Sequence, residues 1–420
     1  MITKTNSSKT NVGMWYLPIL FTVPALSAYF HSLAPNENVF KGQDWGIWVT
    51  FALAVSAGIS WWLCHDSIQL SLLARATLAL MLAAWLYQVI RIQLDGATFN
   101  VTAFVVPAAF VMISLKPPPL SAVRKAGLAL AYSLILVSVL SLVFGALGKG
   151  PDGFALALGG ESRLPILGDL LGIETRWGGP FGSVNYAAPI GGLLVILAFS
   201  YKNFNRYLVL VSGLIILTLS QARSTAFAVV VGLVILALWS APVSRFKNKI
   251  PLRIMVLLGM ASIYVLYVFL FDRSLNGRTT IWTDFGDLWL QKPFFGTGDS
   301  GIIDFVNSRD ADPSFVPHQH AHSVLFDGLV RFGIPMLLLS VGTFISALVL
   351  SIRSASIDLG RNLALVVFVL LAGLTETIHS FSYLTAYLCA LIFVVLSSNA
   401  TLVGRREVEN SKDAAREQQA

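Results

Sequence analysis

Residues 207–240 read YLVLVSGLIILTLSQARSTAFAVVVGLVILALWS, two apolar runs, 207–220 and 224–240, with almost nothing between them. Each run approaches the ~20 residues that a helix needs to cross a bilayer. The break Ser220-Gln221-Ala222-Arg223-Ser224-Thr225 is too short for anything except a tight turn at a membrane boundary, with Arg223 at its tip. The pattern extends in both directions, with apolar runs near 14–33, 46–64, 70–90, 98–115, 126–148, 184–200, 252–271, 323–350, 361–378 and 381–400. Hydrophobic residues make up 55% of the 420 and charged residues only 12%, against about 25% charged in soluble domains. Water is therefore not the main solvent, and in lipid a chain of this kind must satisfy its backbone within helices. The predicted class is all-α integral membrane: a polytopic bundle of about 12 transmembrane helices. One membrane domain is expected over 1–404, followed by a polar cytoplasmic tail over 405–420 that should fray.

Charge gives the orientation. Of the 29 Lys and Arg residues, 18 fall before the first run, in 116–125, in 245–253, after 400 and at Arg75, Lys202, Arg206, Arg353 and Arg361, segments that share one side if the N-terminus is cytoplasmic, and the positive-inside rule then puts both ends in the cytoplasm. Two long loops, 149–183 and 272–321, face outward under that assignment. They are rich in Gly, Pro and aromatic residues, and long loops of this kind usually carry function. The net charge of +7 follows from orientation and implies no nucleic-acid partner. Cys64 and Cys389 both lie in apolar runs, as small buried hydrophobes do, rather than a disulfide or metal pair. Met1–Val12 carries Lys4 and Lys9 ahead of a run too long for a signal h-region, so an uncleaved first helix is expected.

The ionisable candidates sit at the ends of runs. Arg223 either snorkels to the headgroups or meets a lipid-linked phosphate with its planar fork of donors. Arg278 opens an amphipathic-looking segment, Asn276-Gly277-Arg278-Thr279-Thr280-Ile281-Trp282, where a simple helix-start charge is the plain alternative. His318, His320 and His322 precede the span that begins near Val324. Three histidines suggest zinc, but no cysteine is near, HExxH is absent, and only Asp310 and Asp312 supply local carboxylates. A neutral imidazole accepting a proton fits better, and no metal or cofactor is expected. Glu376 and His379 lie near the outward end of the eleventh run, as functional candidates or as helix-end groups in headgroup water. Asp327 and Arg331 are spaced i, i+4 and should pair.

Taken together, the outward segments resemble the O-antigen ligase and polymerase superfamily of bacterial envelope glycosyltransferases. The similar stretches are Arg176-Trp177-Gly178-Gly179-Pro180-Phe181-Gly182-Ser183-Val184-Asn185, Arg223-Ser224, Gly277-Arg278 followed by Trp282, Pro293-Phe294-Phe295-Gly296-Thr297-Gly298, and His322 followed after ten residues by Gly333. The resemblance covers about residues 176–400. Two positions depart from the pattern: Ser323 stands where the family often has Asn, and Trp282 where ligases often have Leu.

The resemblance implies transfer of undecaprenyl-pyrophosphate-linked O-antigen to lipid A–core oligosaccharide, outside the bacterial inner membrane and among membrane lipids. His322 would be the general base, and Arg223 and Arg278 would bind the pyrophosphate. Arg176, Asn185, Arg163, His320 and Glu376 are secondary candidates. An O-antigen polymerase is the close alternative, since the first long loop holds Arg163 and Arg176; a lipid-linked glycan transporter or flippase is the distant one.

Overall fold

The computed structural model describes residues 15–32, 40–63, 69–96, 104–146, 177–181, 184–240, 278–309, 321–375 and 385–417. In chain order the helices are α1 (Tyr16–Ser32), α2 (Phe40–Trp62), α3 (Leu72–Leu94), α4 (Val105–Leu115), α5 (Leu120–Ala146), α6 (Val184–Ala198), α7 (Asn203–Ser220), α8 (Arg223–Ser240), α9 (Arg278–Gln291), α10 (Gly298–Arg309), α11 (Val324–Asp358), α12 (Arg361–Thr375) and α13 (Ala386–Glu417). A short 3-10 turn, Gly179–Phe181, precedes α6. Among the described residues all regular structure is helical. Every expected apolar run coincides with a helix except 252–271, which lies outside the described residues.

Among the described residues five helices, namely α3, α5, α7, α11 and α13, are long and apolar enough to cross a membrane, and α1, α2, α4, α6, α8 and α12 contain shorter apolar stretches. The outer surface suits the same solvent. Phe204, Tyr207, Val211, Leu214, Ile215 and Val230 are all exposed along α7 and α8, a costly arrangement in water and a neutral one against acyl chains.

At the centre stands α13, whose side chains from Ala386 to Ala400 are all buried against α5, α11 and α12. A helix apolar on every side belongs there. Its one buried amide is satisfied: Asn399 accepts from the Ser71 N–H at 2.8 Å and donates to the Gln69 carbonyl at 2.9 Å. Ser71 in turn caps α3, so the polar group fixes the start of α3 against the central helix. Helices α6 and α7 form the closest-packed pair because Gly191 faces the backbone of Gly213 and Leu217. Without side chains there, the backbones approach and gain van der Waals contact, the main packing force between helices in lipid.

One sequence expectation needs correction. The tail does not fray at Arg405: α13 runs on to Glu417 with exposed side chains. Arg405 pairs with Glu409 at 2.7 Å and Arg416 lies 3.9 Å from Asp413, and such spacings support an exposed helix by about 0.2–0.5 kcal/mol each. Within the second long loop, 278–309 folds into α9 and α10, and α9 starts at Arg278, where the sequence has its amphipathic-looking segment. Ile281, Phe285, Leu288 and Ile302 from their apolar faces build a small core with Ala321 and with Val330 of α11, apart from the main core.

The two ends of α11 lie on opposite faces of the bundle, and the distribution of basic residues gives the expected orientation. Single-cysteine variants in a Cys64→Ala, Cys389→Ala background should be labelled from outside at position 322 and from the cytoplasm at positions 120 and 406. Labelling of position 322 only from the cytoplasm would reverse the orientation.

Candidate active site

His322 sits at the entrance to α11, in a turn held from both sides. Ser323 is the N-cap: its hydroxyl accepts from the Phe326 N–H at 3.5 Å and its carbonyl from the Asp327 N–H at 2.7 Å. An Asn would cap as well, so the departure from the family pattern preserves the local structure. His322 itself has φ 49°, a left-handed conformation that His tolerates better than most residues. The preceding residue, Ala321, is fully buried and clamped. Its N–H donates to Asp327 Oδ1 at 2.9 Å and its carbonyl accepts from Trp282 Nε1 at 2.7 Å. Trp282 comes from α9, one turn after Arg278, the first residue of that helix. The second departure therefore supplies a bond that Leu could not make, and it ties the helix started by Arg278 to the turn that carries His322.

The Pro293–Gly298 stretch docks into a break in α11. Gly333 has φ 78° inside the helix, a conformation that costs little only for glycine, and Pro335 follows. The break frees backbone groups that the loop then takes up: Thr297 N–H donates to the Val330 carbonyl at 2.9 Å, and Ile334 N–H to the Pro293 carbonyl at 3.3 Å. A Cβ at Gly333 would overlap the Phe294 carbonyl, and one at Gly296, itself at φ 72°, the backbone of Arg331. Tyr87 on α3 closes the joint by donating to the Phe332 carbonyl at 2.7 Å. The two sequence motifs are thus the two halves of one joint.

A group of charged residues adjoins it. Arg331 donates from Nε to Asp327 Oδ2 at 2.8 Å and also binds Asp299, which lies in the first turn of α10, where the helix dipole favours a carboxylate. Asp95, just beyond α3, pairs with Arg91 at 3.5 Å. Burial pushes the Asp95 carboxyl above the usual range, with Asp299 adding to the rise and Arg91 and Lys292 opposing it. The i, i+4 spacing of Asp327 and Arg331 announced their pair. Asp299 and Asp95 were not singled out from the sequence, although the Arg91–Asp95 spacing carries the same signal.

Arg223 belongs to a second unit. It is the exposed first residue of α8, after Gln221, which ends α7 in a left-handed cap at φ 54°. Asn185 lies in the first turn of α6 and is half-buried. Trp177 N–H donates to the Leu219 carbonyl at 3.0 Å, which fixes the segment following Arg176 against the hairpin. Helix α12 packs on both α8 and α11. Gly360 abuts Trp239 at the far end of α8, so α12 runs antiparallel to α8 and ends at Thr375 on the Arg223 side. Arg223, Asn185, Arg278 and His322 accordingly share one end of the bundle. Arg278 and His322 ride on the α9–α11 unit, Arg223 and Asn185 on the α6–α8 unit. Arg163, Arg176, His318, His320, Glu376 and His379 lie outside the described residues.

Residues 207–341 match the family model described as O-antigen ligase (Wzy_C), which supports a member of the O-antigen ligase/polymerase superfamily. The matched segment begins at the α7–α8 hairpin and ends past the Gly333 joint, so it contains Arg223, Arg278 and His322. No curated protein matched the chain.

Proposed function

We propose that, within this superfamily, the protein is the ligase. It transfers O-antigen polysaccharide from undecaprenyl pyrophosphate to a sugar hydroxyl of lipid A–core oligosaccharide at the periplasmic face of the inner membrane. The observation that carries this reading is the matched segment with Arg223, Arg278 and His322 at one end of a membrane-type helical bundle. The acceptor oxygen attacks the anomeric carbon as His322 takes its proton. The bond from that carbon to the pyrophosphate oxygen breaks, and the pyrophosphate leaves with the electron pair. One displacement inverts the configuration. No nucleotide is consumed, so the pyrophosphate ester supplies the driving force, and stabilising its developing charge is the protein's main electrostatic task.

Arg223 and Arg278 take that task. Each is expected to be worth about 1.5–3 kcal/mol, or roughly tenfold to a hundredfold in transfer rate or donor affinity. Arg→Lys should restore only part, because an ammonium lacks the bidentate fork. Unchanged transfer by both Arg223→Ala and Arg278→Ala, at equal protein level, would reduce them to interfacial anchors.

The polymerase reading draws on Arg163 and Arg176 in the first long loop. A null strain separates the two: a ligase leaves polymerised lipid-linked O-antigen, whereas a polymerase leaves single repeat units. Accumulation of single units would replace the ligase assignment.

A further inference from the structure

At the opposite end of α11 from His322, 35 residues along, a cavity of about 540 Å³ opens between the start of α5, the α11–α12 turn and α13. Its floor is polar and already committed. Asp358 accepts from Ser354 Oγ at 3.0 Å, from the Gly360 N–H at 3.0 Å and from Asn362, and Asn362 also donates to Ser397 at 3.3 Å. One wall is apolar, with Leu120, Ile357 and Phe393.

The rim is cationic. Arg124, Arg361, Arg405 and Lys412 line it against two carboxylates, Asp358 and Glu409, a net of 4 − 2 = +2. Glu409 is bound to Arg405 at 2.7 Å. Arg361 lies within electrostatic reach of Arg124 and Arg206 as well as Asp358, so like charges are held near one another at the mouth. Orientation by positive charge explains cations on solvated loops. It does not explain a concave site with cations at the mouth and an apolar wall behind them.

We propose that this cavity binds a phosphate group, with the guanidiniums of Arg124 and Arg361 as its main contacts and Arg405 and Lys412 closing over it. Guanidinium forks match phosphate oxygens. Basic pockets between membrane helices on the cytoplasmic side suit anionic headgroups, with the acyl chains lying along an apolar wall. The site is separate from the transfer chemistry, and its test does not use activity.

The full-length protein in phosphatidylcholine nanodiscs, with and without phosphatidylglycerol, gives the first measurement. Phosphatidylglycerol should raise the thermal midpoint, and the Arg124→Gln, Arg361→Gln double variant should bind it about tenfold or more weakly and lose the rise. Arg406→Gln, on the exposed extension of α13, should keep it. Inorganic phosphate added to protein in neutral detergent identifies the source: an arginine-dependent rise there assigns the site to soluble phosphates, and its absence beside a lipid response assigns it to a headgroup. If the double variant does not fold, Arg405→Gln with Lys412→Gln reads the same rim from exposed positions. An equal rise in wild type and rim variants, or none with either probe, overturns the proposal.

Discussion

His322→Asn is expected to lower glycan transfer by about 10²–10⁴-fold, the usual contribution of a general base, with residual activity from the arginines and from proximity of the bound substrates. Asn is the cleaner replacement because His322 has φ 49°. Alanine there would add a backbone cost of about 1–2 kcal/mol, whereas Asn enters that region readily and contains no base. Transfer by the wild type depends on the imidazole's acceptor lone pair, which an amide does not replace as a base. Chelator should leave it active, and replacement of His318 or His320 should cost less than replacement of His322. Chelator-sensitive transfer restored by a divalent ion would substitute a metal-assisted mechanism, while His322→Asn with full activity would remove the base assignment.

Asp327→Ala should destabilise the fold by about 3–5 kcal/mol, the range for breaking one side of a buried charge pair. Asp327 is only 6% exposed, yet it holds both the Ala321 N–H and Arg331 Nε. Its loss strands a buried donor and removes one of the two carboxylates bound to Arg331. Because Ala321 adjoins His322, transfer should fall along with the melting point. Asp327→Asn keeps one acceptor for Ala321 but not the charge, so it should lie between wild type and Ala in both measurements. A thermal midpoint for Asp327→Ala indistinguishable from wild type would show that the charged group does not support the active-site turn.

The bundle could be read before any coordinate because hydropathy is a local signal. A run such as 207–220 states its own solvent, and a tight break such as Gln221-Ala222-Arg223 states that the chain turns back. The ranges of α3, α7 and α8 follow that reading closely. The motif residues were also visible in the chain, but only as separate stretches. Their connection depends on contacts across long sequence separations: Trp282 reaching Ala321, Thr297 reaching Val330, and Arg331 reaching Asp299. No period or composition encodes those, since each needs two segments folded against one another. The same holds for the helices within the second loop, whose apolar faces are too short to span a membrane and pack on α11, with α10 also meeting α3. The inward cavity is the extreme case. Its cations come from α5, α12 and α13, each explicable alone by the positive-inside rule, and only their convergence around one apolar wall makes them a site.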